Sequence, residues 1–126
     1  MHDAARNDFA DRLARIVDAL PEPYATHLAS LTLRVEDAPA PALLLELGMA
    51  PDEPLLGLHE GVPYTEASVE LSGVLPPQIT LFRQPIIDCA AELRDPLDTQ
   101  IRITLLHELG HQFGLDEDDL DDLGFA

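Results

Sequence analysis

The stretch TLLHELGHQFGLDE, residues 104–117, decides how the rest of this chain is read. His107 and His111 stand four apart, and Glu108 directly follows the first. On an α-helix, residues i and i+4 share a face about 6 Å apart, so the two imidazoles can point at one ion. Glu108 is turned by about 100° from His107, which sets it beside that ion instead of on it. Zinc favours imidazole nitrogens at about 2.0–2.1 Å and lowers the pKa of a bound water toward about 7. A neighbouring glutamate can take that proton, which is the physical content of the H-E-x-x-H spacing.

The rival reading is a buried helix whose histidines are satisfied by hydrogen bonds. In a chain with 5 His among 126 residues, H-E-x-x-H arises by chance with a frequency on the order of one in a hundred. Requiring Gly114 and an acid at position 117 lowers this to roughly one or two in ten thousand. Leu105, Leu106, Leu109 and Phe113 fill the side away from the histidines, and Ile101 and Ile103 flank the histidine face. A helix apolar nearly all round is a buried one. Burying two unpaired imidazoles costs on the order of a few kcal/mol, and a metal would satisfy both. The motif therefore points to zinc, with His107 and His111 as ligands and Glu108 as base.

The third ligand is harder to place. Fifteen residues follow His111, too few for the thermolysin arrangement, which takes a glutamate from a second helix well downstream. The metzincin arrangement puts a third histidine six residues after the second, past a turning glycine. Gly114 is in place, but position 117 is Glu, and Met1 and Met49 both precede the motif where a methionine turn should follow it. What remains is a carboxylate just past Gly114, Asp116 or Glu117, and carboxylate oxygen is an acceptable zinc ligand. Asp118, Asp119, Asp121 and Asp122 read as a solvated, acid-rich helix start with Asp116 as its N-cap.

Outward from the motif, the chain alternates helical and strand patterns. Phe9, Leu13, Ile16, Val17 and Leu20 recur at helical spacing, predicting a helix over 3–20 stopped by Pro21. Residues 22–30 suit a short helix with Pro23 in its first turn. LTLRVED (31–37) alternates with Leu31, Leu33 and Val35 on one face, a strand of period two. A Pro-rich turn and short helix ending near Gly48 follow, then a strand within 55–63, a loop over 64–77 and a strand at 79–82. A short helix over 85–93, a break at Asp95-Pro96, the long motif helix 97–113 and a short acidic helix at 117–123 complete the chain. The expectation is one α+β domain over 1–126, a small three- to four-stranded mixed sheet with helices around it.

Composition narrows the partners. The net charge is −17, from 24 acidic and 7 basic side chains, and every basic one is Arg. With no basic cluster, nucleic acid and anionic membranes are poor partners, while cations and basic peptides are favoured. The single cysteine, Cys89, rules out an intramolecular disulfide and reads as a small core residue. The first residues, MHDAARNDFADRLARIV, lack the apolar core of a signal peptide, and no run approaches the roughly 20 apolar residues of a membrane span. A soluble, cytoplasmic protein is expected.

Three blocks, LLGLHEGVPYTE (55–66), LPPQITLFRQPIIDCA (75–90) and LLHELGHQFGLDEDDLDDLG (105–124), together with VEDAP (35–39), resemble the small bacterial zincin-like metallopeptidases, or minimal zincins. The last block is the most specific. The family pattern H-E-x-x-H-x-x-G-x-x-D implies zinc held by His107, His111 and position 117, with Glu108 as general base. This chain departs from it by carrying Glu117 where the family usually has Asp, with Asp116 one residue earlier. His59 stands where the family often has an aromatic residue, and it reads as strand packing.

Two functional classes follow. The first is a zinc peptidase in which water activated by zinc and Glu108 attacks a peptide carbonyl, with the substrate laid along Ile79–Phe82 if that strand is a sheet edge and not an ordinary internal strand. The second is a zinc-binding module with little proteolysis. It is favoured by the lack of a Tyr or His after His111 to stabilise an oxyanion, a contribution worth about 3–4 kcal/mol. Tyr64, His59 or Arg83 could serve from upstream. A partner chain that supplies a missing cleft wall is a third possibility.

Overall fold

The computed structural model describes residues 3–60 and 77–112. The described elements run α1 (Asp3–Asp18), α2 (Tyr24–Ala29), β1 (Thr32–Glu36) and α3 (Pro41–Glu46), then β2 (Gly57–Glu60), β3 (Gln78–Phe82), α4 (Arg83–Leu93) and α5 (Leu97–Gln112). This is the expected α+β class, with the H-E-x-x-H residues on the long last described helix.

The three strands form a mixed sheet in the order β1-β3-β2. β1 runs parallel to β3, pairing Leu33 with Ile79 and Val35 with Leu81. β2 runs antiparallel to β3, pairing Gly57 with Leu81 and His59 with Ile79. The expectation that Ile79–Phe82 is a free edge is therefore wrong. Both of its edges are taken, and Ile79, Thr80, Leu81 and Phe82 are all buried. A run without polar alternation is what a strand covered on both faces requires. Among the described strands, β2 is the outer one on the side of the motif helix.

α5 is the hub of the molecule. It contacts α1, α2, α4, β2 and β3, and Ile101, Leu105, Leu106 and Leu109 are all but fully buried. They form one core with Phe9 and Leu13 of α1, Leu28 of α2, Ile79 and Leu81 of β3, and Ile86 of α4. Apolar residues all round the helix are explained by neighbours all round it.

The same helix ending occurs twice. After α3, Met49 N–H donates to Leu44 C=O at 2.9 Å and Gly48 N–H to Leu45 C=O at 3.1 Å. After α4, Asp95 N–H donates to Ala90 C=O at 3.0 Å and Arg94 N–H to Ala91 C=O at 3.2 Å. Both are Schellman motifs, which need a left-handed residue. Gly48 supplies φ 72° and Arg94 φ 57°. α4 also starts two residues earlier than expected, at Arg83, which leaves Pro85 within the first turn, where helical N–H groups lack intrahelical partners. Cys89 is half-buried, so it is less of a core residue than expected, and its thiol approaches Gln100 Oε1 at 3.7 Å.

Candidate metal centre

α5 presents His107, Glu108 and His111 toward β2. The Nε2 atoms of His107 and His111 lie 3.0 Å apart, with their rings nearly perpendicular at a centroid distance of 4.5 Å. Two nitrogens each about 2.0–2.1 Å from one tetrahedral zinc stand about 3.4 Å apart. The 3.0 Å separation is that of a hydrogen bond between the two rings, and it lies within a few tenths of an ångström of the spacing two imidazoles need to share one ion. Imidazole nitrogen is a donor that suits zinc, so these residues fit the ion. Among the described residues, no group of three His, Cys, Asp or Glu is gathered to hold a metal. Asp116 and Glu117, the expected sources of the third ligand, lie outside the described residues, as does Tyr64.

Glu108 does not share that nitrogen pair's position. Its carboxylate turns toward β2, where Oε2 lies 2.7 Å from His59 Nδ1. Its side chain is 13% exposed and that of His59 37%. The His59 ring also stacks on His111, with centroids 5.5 Å apart and planes 27° from parallel. The hydrogen bond to Glu108 raises the His59 pKa above the ordinary histidine value, against the opposing effect of desolvation.

Gly57, two residues before His59, faces the same helix. A Cβ there would stand 3.0 Å from Glu108 Cγ and 3.0 Å from Thr104 Cγ2. The period of two in β2 thus sets a glycine and a histidine against one glutamate. Leu55, Leu56, Gly57, Gln100, Ile103, Thr104, His107 and Glu108 line a groove of about 270 Å³ between β2 and α5.

His59, read from sequence as strand packing, is instead the side-chain partner of Glu108. The signal that could have shown this is the departure itself: an imidazole where the resemblance has an aromatic ring. Arg83 is placed elsewhere. Its guanidinium donates to Asp37 Oδ1 at 2.6 Å, and Asp37 also accepts from Arg6.

No functionally curated protein matches the chain in sequence. The family model described as "Zincin-like metallopeptidase" matches residues 28–125, well over half of the chain. The match covers the sheet, the β2–α5 groove and the histidine helix, and this chain belongs to the zincin-like metallopeptidase family.

Proposed function

We propose that this chain is a zinc-dependent peptidase with Glu108 as general base. The observation that carries this reading is the His107–His111 pair, its Nε2 atoms 3.0 Å apart on a helix that holds Glu108 alongside. His107 and His111 would hold the ion, and Glu117 is the proposed third ligand, preferred to Asp116 by the family spacing. When bound, zinc would acidify water and polarise a carbonyl oxygen. Glu108 would accept the proton of the attacking water and pass it to the leaving amine.

The substrate is proposed to be an extended peptide. It would lie along β2, the outer described strand beside the motif helix. Main-chain pairing would align it, and the apolar Leu55, Leu56 and Ile103 would meet its side chains. The net charge of −17 favours basic peptides over acidic ones. Among the described residues no helix is long and apolar enough to cross a membrane; the cytoplasm is the proposed setting.

Metal analysis and peptide hydrolysis test the reading together. About one zinc per chain is expected in the purified protein and none in His107→Ala or His111→Ala, because the two protein ligands that remain of three bind zinc weakly. Glu108→Ala should keep zinc and lose hydrolysis. Stoichiometric zinc in the double histidine variant, or loss of zinc from Glu108→Ala, would overturn the assignment. Chelator competition should show Glu117→Ala weakening zinc binding far more than Asp116→Ala, and the reverse ranking would reassign the third ligand.

A further inference from the structure

Glu108 needs something to hold it. A glutamate side chain has three rotatable bonds, and a general base works through one oxygen placed to within a few tenths of an ångström. Here β2 makes contact with this side chain at two points. Gly57, lacking a Cβ, lets Glu108 Cγ come close to the strand. Two residues on, His59 Nδ1 meets Oε2 at 2.7 Å. An ionised carboxylate has only acceptors, so in this contact the Nδ1–H of His59 is the donor. The same ring stacks on His111, with centroids 5.5 Å apart.

From this geometry we infer that His59 is the positioning residue of Glu108. Its Nδ1–H holds Oε2, so that Oε1 is the oxygen turned to the attacking water, while its stacking on His111 keeps the glutamate and the ligand pair in fixed relation. The inference rests on the reading of Glu108 as base. A ring alone can stack on His111; an imidazole can stack and donate at once.

Two variants separate these parts. His59→Phe keeps a ring and removes the donor. His59→Asn removes the ring and keeps an N–H near the position of Nδ1. In the proton NMR spectrum of the isotope-labelled wild type, with or without zinc, the Nδ1–H of His59 should appear as a downfield, exchange-protected resonance. It should be lost in His59→Phe and displaced in Glu108→Ala. Zinc affinity in His59→Phe should stay within about tenfold of wild type, while kcat on a peptide substrate falls by about 10–100-fold at nearly unchanged KM. His59→Asn should recover most of that kcat. Circular dichroism at the assay temperature checks that each variant is folded.

Loss of zinc from His59→Phe as complete as from His107→Ala would make His59 a ligand and overturn the inference. A folded His59→Phe with wild-type kcat would reduce His59 to packing and overturn it equally. If the wild type hydrolyses no peptide, the peptidase reading fails. The imidazole resonance still decides the contact: its presence and its response to Glu108→Ala support His59 holding Glu108, and its absence overturns it.

Discussion

At the scale of single residues, the β2–α5 contact depends on what is missing from Gly57. The distances of 3.0 Å from its would-be Cβ to Glu108 Cγ and to Thr104 Cγ2 are tighter than ordinary packing. In an open strand position Gly→Ala stabilises by about 0.4–1 kcal/mol through the unfolded chain. Here overpacking should outweigh that gain, leaving Gly57→Ala less stable by about 1 kcal/mol in urea unfolding. Thr104→Ser removes one of the two collisions, so the double variant should recover part of the loss, a coupling that a double-mutant cycle measures. Additive losses would mean that the strand shifts as a unit and that the two atoms are not the cause.

At the scale of elements, the two Schellman endings make a controlled comparison. Gly48 meets the left-handed requirement without strain, whereas Arg94 meets it with a Cβ. Arg94→Gly should therefore raise stability by about 0.5–1 kcal/mol, read as a higher urea midpoint. A lower midpoint would show that the arginine side chain contributes more than its backbone costs. Burial separates leucines in the same way. Leu105 on α5 is fully buried, whereas Leu45 on α3 is 80% exposed. Leu105→Ala should cost about 2–5 kcal/mol, a large part of the roughly 5–15 kcal/mol of a typical domain. Leu45→Ala should change stability by no more than about 0.5 kcal/mol. Equal losses at the two positions would contradict the packing described.

At the scale of the whole molecule, the ion pairs centred on Asp37 join distant parts of the chain. Asp37, just past β1, accepts from Arg6 on α1 and from Arg83 at the start of α4. The hydrogen bond from Arg6 is the main cause holding the Asp37 carboxyl below its usual range. Desolvation opposes it, and Arg83 adds to the lowering. A carboxyl whose pKa is lower folded than unfolded adds stability above its unfolded pKa, about 3.9, and loses it as pH falls toward the folded value. Wild type should therefore be more stable than Asp37→Asn at pH 7, and the gap should close progressively below about pH 4. The measurement is the urea midpoint of both proteins across that range. Taking the difference removes the relief of the −17 charge that protonation brings to both. A gap that stays constant across that range would show that the lowered pKa of Asp37 is not what stabilises the folded chain.

The sequence by itself determined the α+β class, the helix that carries His107, Glu108 and His111, and the turning of those three residues toward one side. These are consequences of local periodicity, since 3.6 residues per turn brings i and i+4 together wherever the helix is placed. Leu31, Leu33 and Val35 likewise announced a half-buried strand by alternation alone, and all three pack against the core. Strand order was not legible, because nothing local in ITLF records which neighbours pair with it; the neighbours on both sides come from other parts of the chain and made it the central strand. For the same reason LLLE on α3 did not reveal that Leu44 is buried and Leu45 exposed. His59 was legible as a strand residue but not as the partner of Glu108, 49 positions away. Only the antiparallel pairing of β2 beside β3, with α5 packed across it, puts that imidazole against that carboxylate, because tertiary packing decides contacts between residues that no sequence period relates.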